Sequence, residues 1–351
     1  MKMQKHWVGL DVGEEFTNIC VLDRSDSPVL ECSTGSSPDA IAAGLGGLKK
    51  SEIQAMVMET GSVALPEKLR KIGFPVSVLH ARTVHRFLSI RHHKTDANDA
   101  RGLAEIARLG NLSTLAIHTR SSASQELRNQ LIIRNRLVSA RVAARATLRS
   151  TLRNYGSEIR QLSLGTALRP QIETELDLIS RSVGSSAVMQ IEPLLAVCVS
   201  LASYVSALDR QMQRTAASNP VTSRFLQIPG VGPICAVSFY SAIDEPSRFR
   251  RTADVGAYLG MIPKISQSGS TTYRSRVTKA GSAMTRSHLV MAAGVMMSRA
   301  KQRCAISDWG VTLAEKVGYP KARMAVARKL AMAMLSMWKA DKTFEPYPQR
   351  F

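Results

Sequence analysis

The sequence predicts two structural classes in one chain: a mixed α/β domain, then a mostly helical remainder. Three observations carry this. Residues 6–33 hold three short β-type runs separated by turns. Residues 38–109 alternate between helical and strand patterns. From 121 onward helical periodicity dominates, beginning with a stretch to 155 that contains neither Gly nor Pro. The expected domains are 1–118, a helical or coiled-coil region at 119–219, and a C-terminal domain at 220–345.

Strands are expected over 6–11, 17–22 and 29–32, joined by Gly13-Glu14-Glu15 and Arg24-Ser25-Asp26-Ser27-Pro28 as turns. A meander fits. Ala, Ile and Leu periodicity predicts a helix over 38–49, and 54–59 reads as the fourth strand. A helix over 63–72 ends at Gly73, a strand follows at 75–80, and helices follow at 83–90 and 95–109. Three antiparallel strands followed by alternating helix and strand give the order of a ribonuclease H-like fold. In that fold an Asp on the first strand, a Glu on the fourth and a late helical Asp pair meet at one end of the sheet.

Those acids are present. Asp96 and Asp99 lie three apart where the last of these helices begins, so they share a face. Thr95 can cap that helix and Asp96 suits its dipole, which accounts for one acid well and the second poorly. Asp11 interrupts the apolar run Val8-Gly9-Leu10-Asp11-Val12-Gly13, and Glu59 interrupts Ala55-Met56-Val57-Met58-Glu59-Thr60-Gly61. An acid in a buried strand is costly unless paired or metal-bound, although an acid ending a strand is also an ordinary turn residue. The order strand-Asp, strand-Glu, helical Asp-x-x-Asp is more specific than any part alone. Such hard oxygen ligands suit Mg²⁺, with Mn²⁺ as the alternative. Two ions about 4 Å apart would clamp the attacking and leaving oxygens of a phosphoryl transfer. His92 and His93 flank the Asp pair and read as DNA or metal contacts, or as a surface loop.

In the helix over 121–155, Leu127, Leu131, Val138, Val142 and Leu152 fall on one side. Arg141, Arg145, Arg149 and Arg153 recur every fourth residue on another, and Glu126 is the only acid. A face of one sign repels itself unless a phosphate backbone lies against it. Pro170 is expected to break the middle of the region. A second helical pattern returns over 187–217, with Pro193 as a kink or as its true start. The pair predicts an antiparallel hairpin or coiled coil and a dimer contact. Met189 and Met212 read as core filler.

At 218–220 the chain changes character. Gln227-Ile228-Pro229-Gly230-Val231-Gly232-Pro233 opens an apolar helix, where backbone N–H groups near Gly230 and Gly232 can meet a phosphate. This resembles the hairpin of helix-hairpin-helix DNA binders, though any tight turn can contain Gly-x-Gly. No Gly-x-x-x-x-Gly-Lys occurs, so no nucleotide triphosphate site is expected. Residues 264–272 read as a flexible Ser/Gly-rich loop, followed by a basic run with Arg274, Arg276 and Lys279. A hydroxyl beside a phosphate-binding surface can act as a nucleophile. Helices are expected over 284–297 and 321–339, and the tail beyond reads as loose.

Composition agrees. The 351 residues are 44% hydrophobic, with 47 Lys+Arg against 27 Asp+Glu, a net charge of +20. Such a basic chain meets a polyanion, with nucleic acid first and an anionic membrane surface second. No 18-residue apolar run and no secretory signal are evident, and a cytoplasmic location is expected. The five cysteines are scattered without Cys-x-x-Cys spacing, which argues against zinc and disulfides.

The segment Lys94-Thr95-Asp96-Ala97-Asn98-Asp99-Ala100, with Gly9-Leu10-Asp11-Val12 upstream, resembles the RuvC-like half of the DEDD insertion-sequence transposases related to the Piv/MooV DNA invertases. Ile228-Pro229-Gly230-Val231-Gly232-Pro233, Tyr258-Leu259-Gly260, Ser268-Gly269, Thr278-Lys279-Ala280-Gly281 and Ala325-Val326-Ala327-Arg328-Lys329-Leu330 are similar to the family's C-terminal transposase domain. The resemblance implies a serine-dependent recombinase whose four metal-binding acids are Asp11, Glu59, Asp96 and Asp99. The family nucleophile sits in a Ser-Ser-Gly-Gly-Lys-like loop after the Leu-Gly-x-x-Pro segment, and the matching position is Ser268. The loop departs from the common form: Gln267 precedes it, and Ser270 and Thr271 stand where Gly and Lys are usual. Ser266 and Ser270 therefore remain outside candidates. The family also implies double-stranded DNA as substrate, a noncoding bridge RNA, and a homo-oligomer, dimer or tetramer. Metal and serine fall in separate expected domains, so domain packing must assemble the site. Two rivals predict otherwise: a RuvC-like nuclease that uses water and leaves Ser268 idle, and a non-catalytic nucleic-acid-binding protein.

Overall fold

β-Branched, Leu and Met residues alternate with residues facing the other way along the first strands, and the sheet follows from that alternation. The computed structural model describes residues 5–59, 61, 64–89, 95–269 and 271–348, without the side chains of Thr166 and Arg274. The chain forms two compact units, Met1–Ser122 and Ala123–Phe351.

In the first unit, β1 (His6–Val12), β2 (Phe16–Leu22) and β3 (Pro28–Gly35) form the expected meander. Helix α1 (Pro38–Gly44) stops short of the expected 49, because the chain turns through Gly46 and Gly47, both at positive φ. Then come β4 (Ile53–Glu59), α2 (Ala64–Lys71), β5 (Val76–Leu79), α3 (Ala81–Leu88), α4 (Asp96–Leu109) and the single turn α5 (Leu112–Leu115). The strand order is β3-β2-β1-β4-β5, with β1, β4 and β5 parallel. Val8, Leu10, Met56 and Met58 bury on one face with Ile41 and Leu69 of α1 and α2. Ala55 and Val57 bury on the other with Leu103 and Ile106 of α4.

The second unit begins with α6 (Ser122–Asn154), whose first residue belongs to the unit before. Next are α7 (Leu168–Ser182) and α8 (Ser185–Ser218). Pro170 does not break a helix. It occupies the first turn of α7, where its missing N–H has no intrahelical acceptor. Pro193 lies inside α8 and does not start it. Helices α6 and α8 are antiparallel: Leu131 clusters with Met212, and Leu148 and Leu152 with Ile191 and Leu195. Arg134 Nε bridges Asp209 Oδ1 at 2.5 Å. Contrary to the sequence expectation of no long apolar run, α8 is long and apolar enough to cross a membrane by composition. Its inner face nonetheless lies against α6 and α7.

The remainder is α9 (Pro220–Phe225), α10 (Pro233–Ile243), α11 (Asp254–Tyr258), β6 (Pro263–Ser268), β7 (Thr271–Val277), α12 (Ala283–Ser298), α13 (Ala305–Val317) and α14 (Tyr319–Ala340). Phe225, Phe239, Leu289, Met296, Val326, Leu330 and Met334 form its core. The stretch read as a flexible loop is the antiparallel hairpin β6–β7. The tail read as loose is pinned: Ala305 N donates to Pro346 O at 2.9 Å and Tyr347 Oη to Asp308 Oδ2 at 2.9 Å.

Candidate active site

Gly9 controls how the acidic end of the sheet is built. A Cβ there would lie 2.0 Å from Ala100 O and 2.3 Å from Ala104 N, so only glycine lets the backbone of α4 rest on β1. Asp11 is two residues on and shares that face. On β4, Val57 faces α4, and Glu59, two residues on, shares its face. The parallel register pairs Gly9 with Val57 and Leu10 with Met58. Asp11 and Glu59 are the next residues on strands about 4.8 Å apart.

The direction of α4 follows from its far end. Arg108 Nε bridges Asp26 Oδ1 at 2.9 Å, in the β2–β3 turn where β1 begins. Helix α4 therefore runs antiparallel to β1, and its first turn lies toward the Asp11 and Glu59 end. Thr95 Oγ1 caps it by accepting from Asn98 N at 3.2 Å. Asp96 is exposed and Asp99 half-buried in that first turn, where the helix dipole favours both.

Among the described residues, no three His, Cys, Asp or Glu side chains are gathered closely enough to hold a metal ion. The fit to a divalent cation is thus one of donor chemistry and element placement, not of a closed cluster. Among the described residues, Glu59, Asp96 and Asp99 have no ion-pair partner. Carboxylate oxygens are the hard donors that a divalent cation takes. His92 and His93 lie outside the described residues.

Ser268 is the last residue of β6 and pairs with Thr271, the first of β7, and Gly269 follows it at φ +58. Ser266 shares its face, and every residue of β6 is exposed. Ser270 lies outside the described residues. The local signal for this hairpin was available in the sequence: a Gly-Ser pair, a common hairpin-turn dipeptide, precedes the β-type run Thr271-Thr272-Tyr273.

The expected nucleic-acid contacts divide. Arg149 and Arg153 are exposed, Arg141 is half-buried, and none has an acidic partner among the described residues. Arg145 is engaged structurally: its guanidinium donates to Ser163 O at 2.6 Å and Leu162 O at 2.5 Å. Gly230, at φ +85, is required by packing, since a Cβ would meet Ala292 O at 2.6 Å. Gly232 N-caps α10 with open space around it. Arg276 on β7 and Lys279 just after it are exposed, and the side chain of Arg274 is outside the described part. Sequence reasoning missed Arg286, whose Nη1 donates to Leu259 O and Ala280 O at 2.9 Å each. No local pattern announces such a clamp.

Comparison with known proteins finds family matches over two stretches of the chain. Residues 8–156 match a DEDD transposase family, and residues 222–307 match the transposase family IS116/IS110/IS902. The chain is 26% identical over 276 residues to the transposase for insertion sequence element IS1111A of Coxiella burnetii, covering 78% of this chain and 74% of that one. It is 23% identical over 283 residues to a probable family 20 transposase of Pseudomonas aeruginosa, covering 80% and 81%. It is 21% identical over 258 residues to the transposase for IS1328 of Yersinia enterocolitica, covering 73% and 75%.

Proposed function

We propose that the chain is a transposase of the IS116/IS110/IS902 kind, which residues 222–307 match, and that it cuts and rejoins DNA through a covalent phosphoserine at Ser268, with a divalent metal held by Asp11, Glu59, Asp96 and Asp99. The observation that carries the metal assignment is the parallel register of β1 with β4 beneath the first turn of α4. The strand order β3-β2-β1-β4-β5 supports a RuvC-like, ribonuclease H-like identity for the first unit. Bound there, Mg²⁺ or Mn²⁺ would polarise the scissile phosphate and ease ionisation of its attacker.

Ser268 Oγ attacks phosphorus in line. The Oγ–P bond forms, the P–O3′ bond breaks, and the proton lost by serine ends on the 3′ oxygen. Attack by the 3′ hydroxyl of the exchanged strand restores a phosphodiester and frees the serine. The number of phosphoester bonds is unchanged, so no nucleoside triphosphate is consumed. The exposed hydroxyl at the hairpin tip supports this role.

The substrates are double-stranded DNA at the element's ends or their junction, and a target. Arg141, Arg149 and Arg153 contact a nucleic acid, a bridge RNA in this reading, and the protein works as a homo-oligomer in the cytoplasm, on nucleoid DNA.

The test is cleavage of a DNA carrying the joined element ends, followed by mass spectrometry for a DNA–peptide adduct. Ser268→Ala should abolish adduct and strand transfer, and Asp96→Asn should do the same, both retaining DNA binding. A Ser268→Ala protein that still cuts would establish a water-using nuclease instead. Unimpaired recombination by Asp96→Asn would remove the metal assignment. Sequencing RNA that co-purifies with the protein tests the guide: no defined species means no bridge RNA.

A further inference from the structure

The β6–β7 hairpin leaves the C-terminal unit through a narrow waist. Gly260 and Gly281 cross there at φ +68 and +67; a Cβ on the first would stand 2.3 Å from Ala280 N, and one on the second 2.1 Å from Tyr258 O. Thr278 N donates to Ile262 O at 2.8 Å and Lys279 N to Gly260 O at 3.1 Å. Arg286 holds one carbonyl from each side of the waist. Such a base sets the direction of the hairpin without any packing farther out.

Beyond the waist the pleat sorts side chains onto two faces. Ser266 pairs with Tyr273 and Ser268 with Thr271, so these four share one face. Tyr273 is 67% exposed, and its hydroxyl has no hydrogen-bond partner among the described residues. It borders a cavity of about 440 Å³ lined also by Ile262, Pro263, Ile265 and Ser266. Ile265 is itself 64% exposed. An exposed two-stranded arm is ordinarily kept polar, so a bare aromatic ring beside an apolar cavity marks a contact surface. The exposed charges of the hairpin and its base, Lys264, Arg276 and Lys279, are all positive and point to the occupant. No Asp or Glu occurs in the sequence between Asp254 and Asp308. The surface complements a polyanion.

We propose that Tyr273 is the stacking platform for the DNA base next to the phosphate attacked by Ser268, and so positions the substrate. This rests on the serine assignment above for which phosphate is meant. Tyr273 is the diagonal cross-strand neighbour of Ser268, about 7–8 Å away between backbones, a separation of about one nucleotide. Every base has a π-face, so the platform tolerates any sequence while holding the phosphate in line with the hydroxyl.

The test uses the full chain with its co-purifying nucleic acid, on DNA carrying the joined element ends, either intact or with an abasic site at each nucleotide flanking the cut. On intact DNA, Tyr273→Ala should slow cutting about ten- to a hundredfold, and Tyr273→Phe should stay near wild type. On DNA lacking the stacked base, Tyr273→Ala should cost nothing further, an outcome that a folding defect cannot produce. Equal slowing on intact and abasic DNA at every position, or Tyr273→Phe as slow as Tyr273→Ala, overturns the proposal. The serine reading is scored separately. Cutting by wild type without a phosphoserine adduct refutes that reading, while the coupling of Tyr273 to the abasic position still stands or falls by cutting rate.

Discussion

Replacing Gly9 by Ala tests whether the close approach of α4 to β1 sets the acidic site. The added methyl would sit 2.0 Å from Ala100 O and 2.3 Å from Ala104 N. A carbon–oxygen contact settles near 3.3 Å, so α4 must withdraw by about 1.3 Å. Both obstructing atoms are backbone, so no side-chain rotation relieves the clash. Overpacking of this kind costs about 3 kcal/mol, the upper part of its usual range. For a unit of this size that lowers the melting temperature by about 10 °C or more. The shift also carries Asp96 and Asp99 away from the strands. A misplacement of about 1 Å can slow a reaction about a hundredfold. The assays are thermal unfolding of the N-terminal unit, followed by circular dichroism, and the rate of DNA cutting. Unchanged melting together with near-wild-type cutting would refute the claim that this helix–strand contact positions the acids.

Two further perturbations probe the second unit. Burial first, and Arg134 second, push His288 down to about 4 from 6.5. Between those values the unfolded chain binds a proton that the folded one refuses, so stability is full above about pH 6.5 and falls as pH drops toward 4, by about 3 kcal/mol. Urea midpoints across this window should flatten in His288→Gln; an unchanged slope would mean another group titrates. On α6, Arg145→Gln removes two charge-assisted bonds to the 162 and 163 carbonyls and should cost about 2 kcal/mol of stability. Arg149→Gln or Arg153→Gln should leave stability nearly intact and reduce the slope of log affinity against log salt by about 1 each. The opposite pattern would reverse the assignment of structural and binding arginines.

Much of the first unit was legible because its signals are local. Alternation placed Val8, Leu10, Met56 and Met58 on strands, and Thr95 announced the start of α4. Misreadings arose where composition competed with geometry. Ser and Gly around 266–270 suggested a linker, yet the turn between short runs closes a hairpin. Pro170 looked like a break and is a helix start. The polar tail looked loose because the acceptors that hold it lie elsewhere in the chain.

The amino-acid order alone determined most strands and helices of the first unit, a net charge that suits a polyanion, and which acids and hydroxyls are chemically available. Those properties depend on periodicity, capping and charge, all carried by neighbours in sequence. Only the folded molecule decided which glycines are bare for packing and which arginines are already engaged. It also decided that Tyr273 shares a face with Ser268. Each of these depends on what stands opposite, a carbonyl or backbone nitrogen contributed from elsewhere in the chain, and side-chain identity does not encode the atom across the gap.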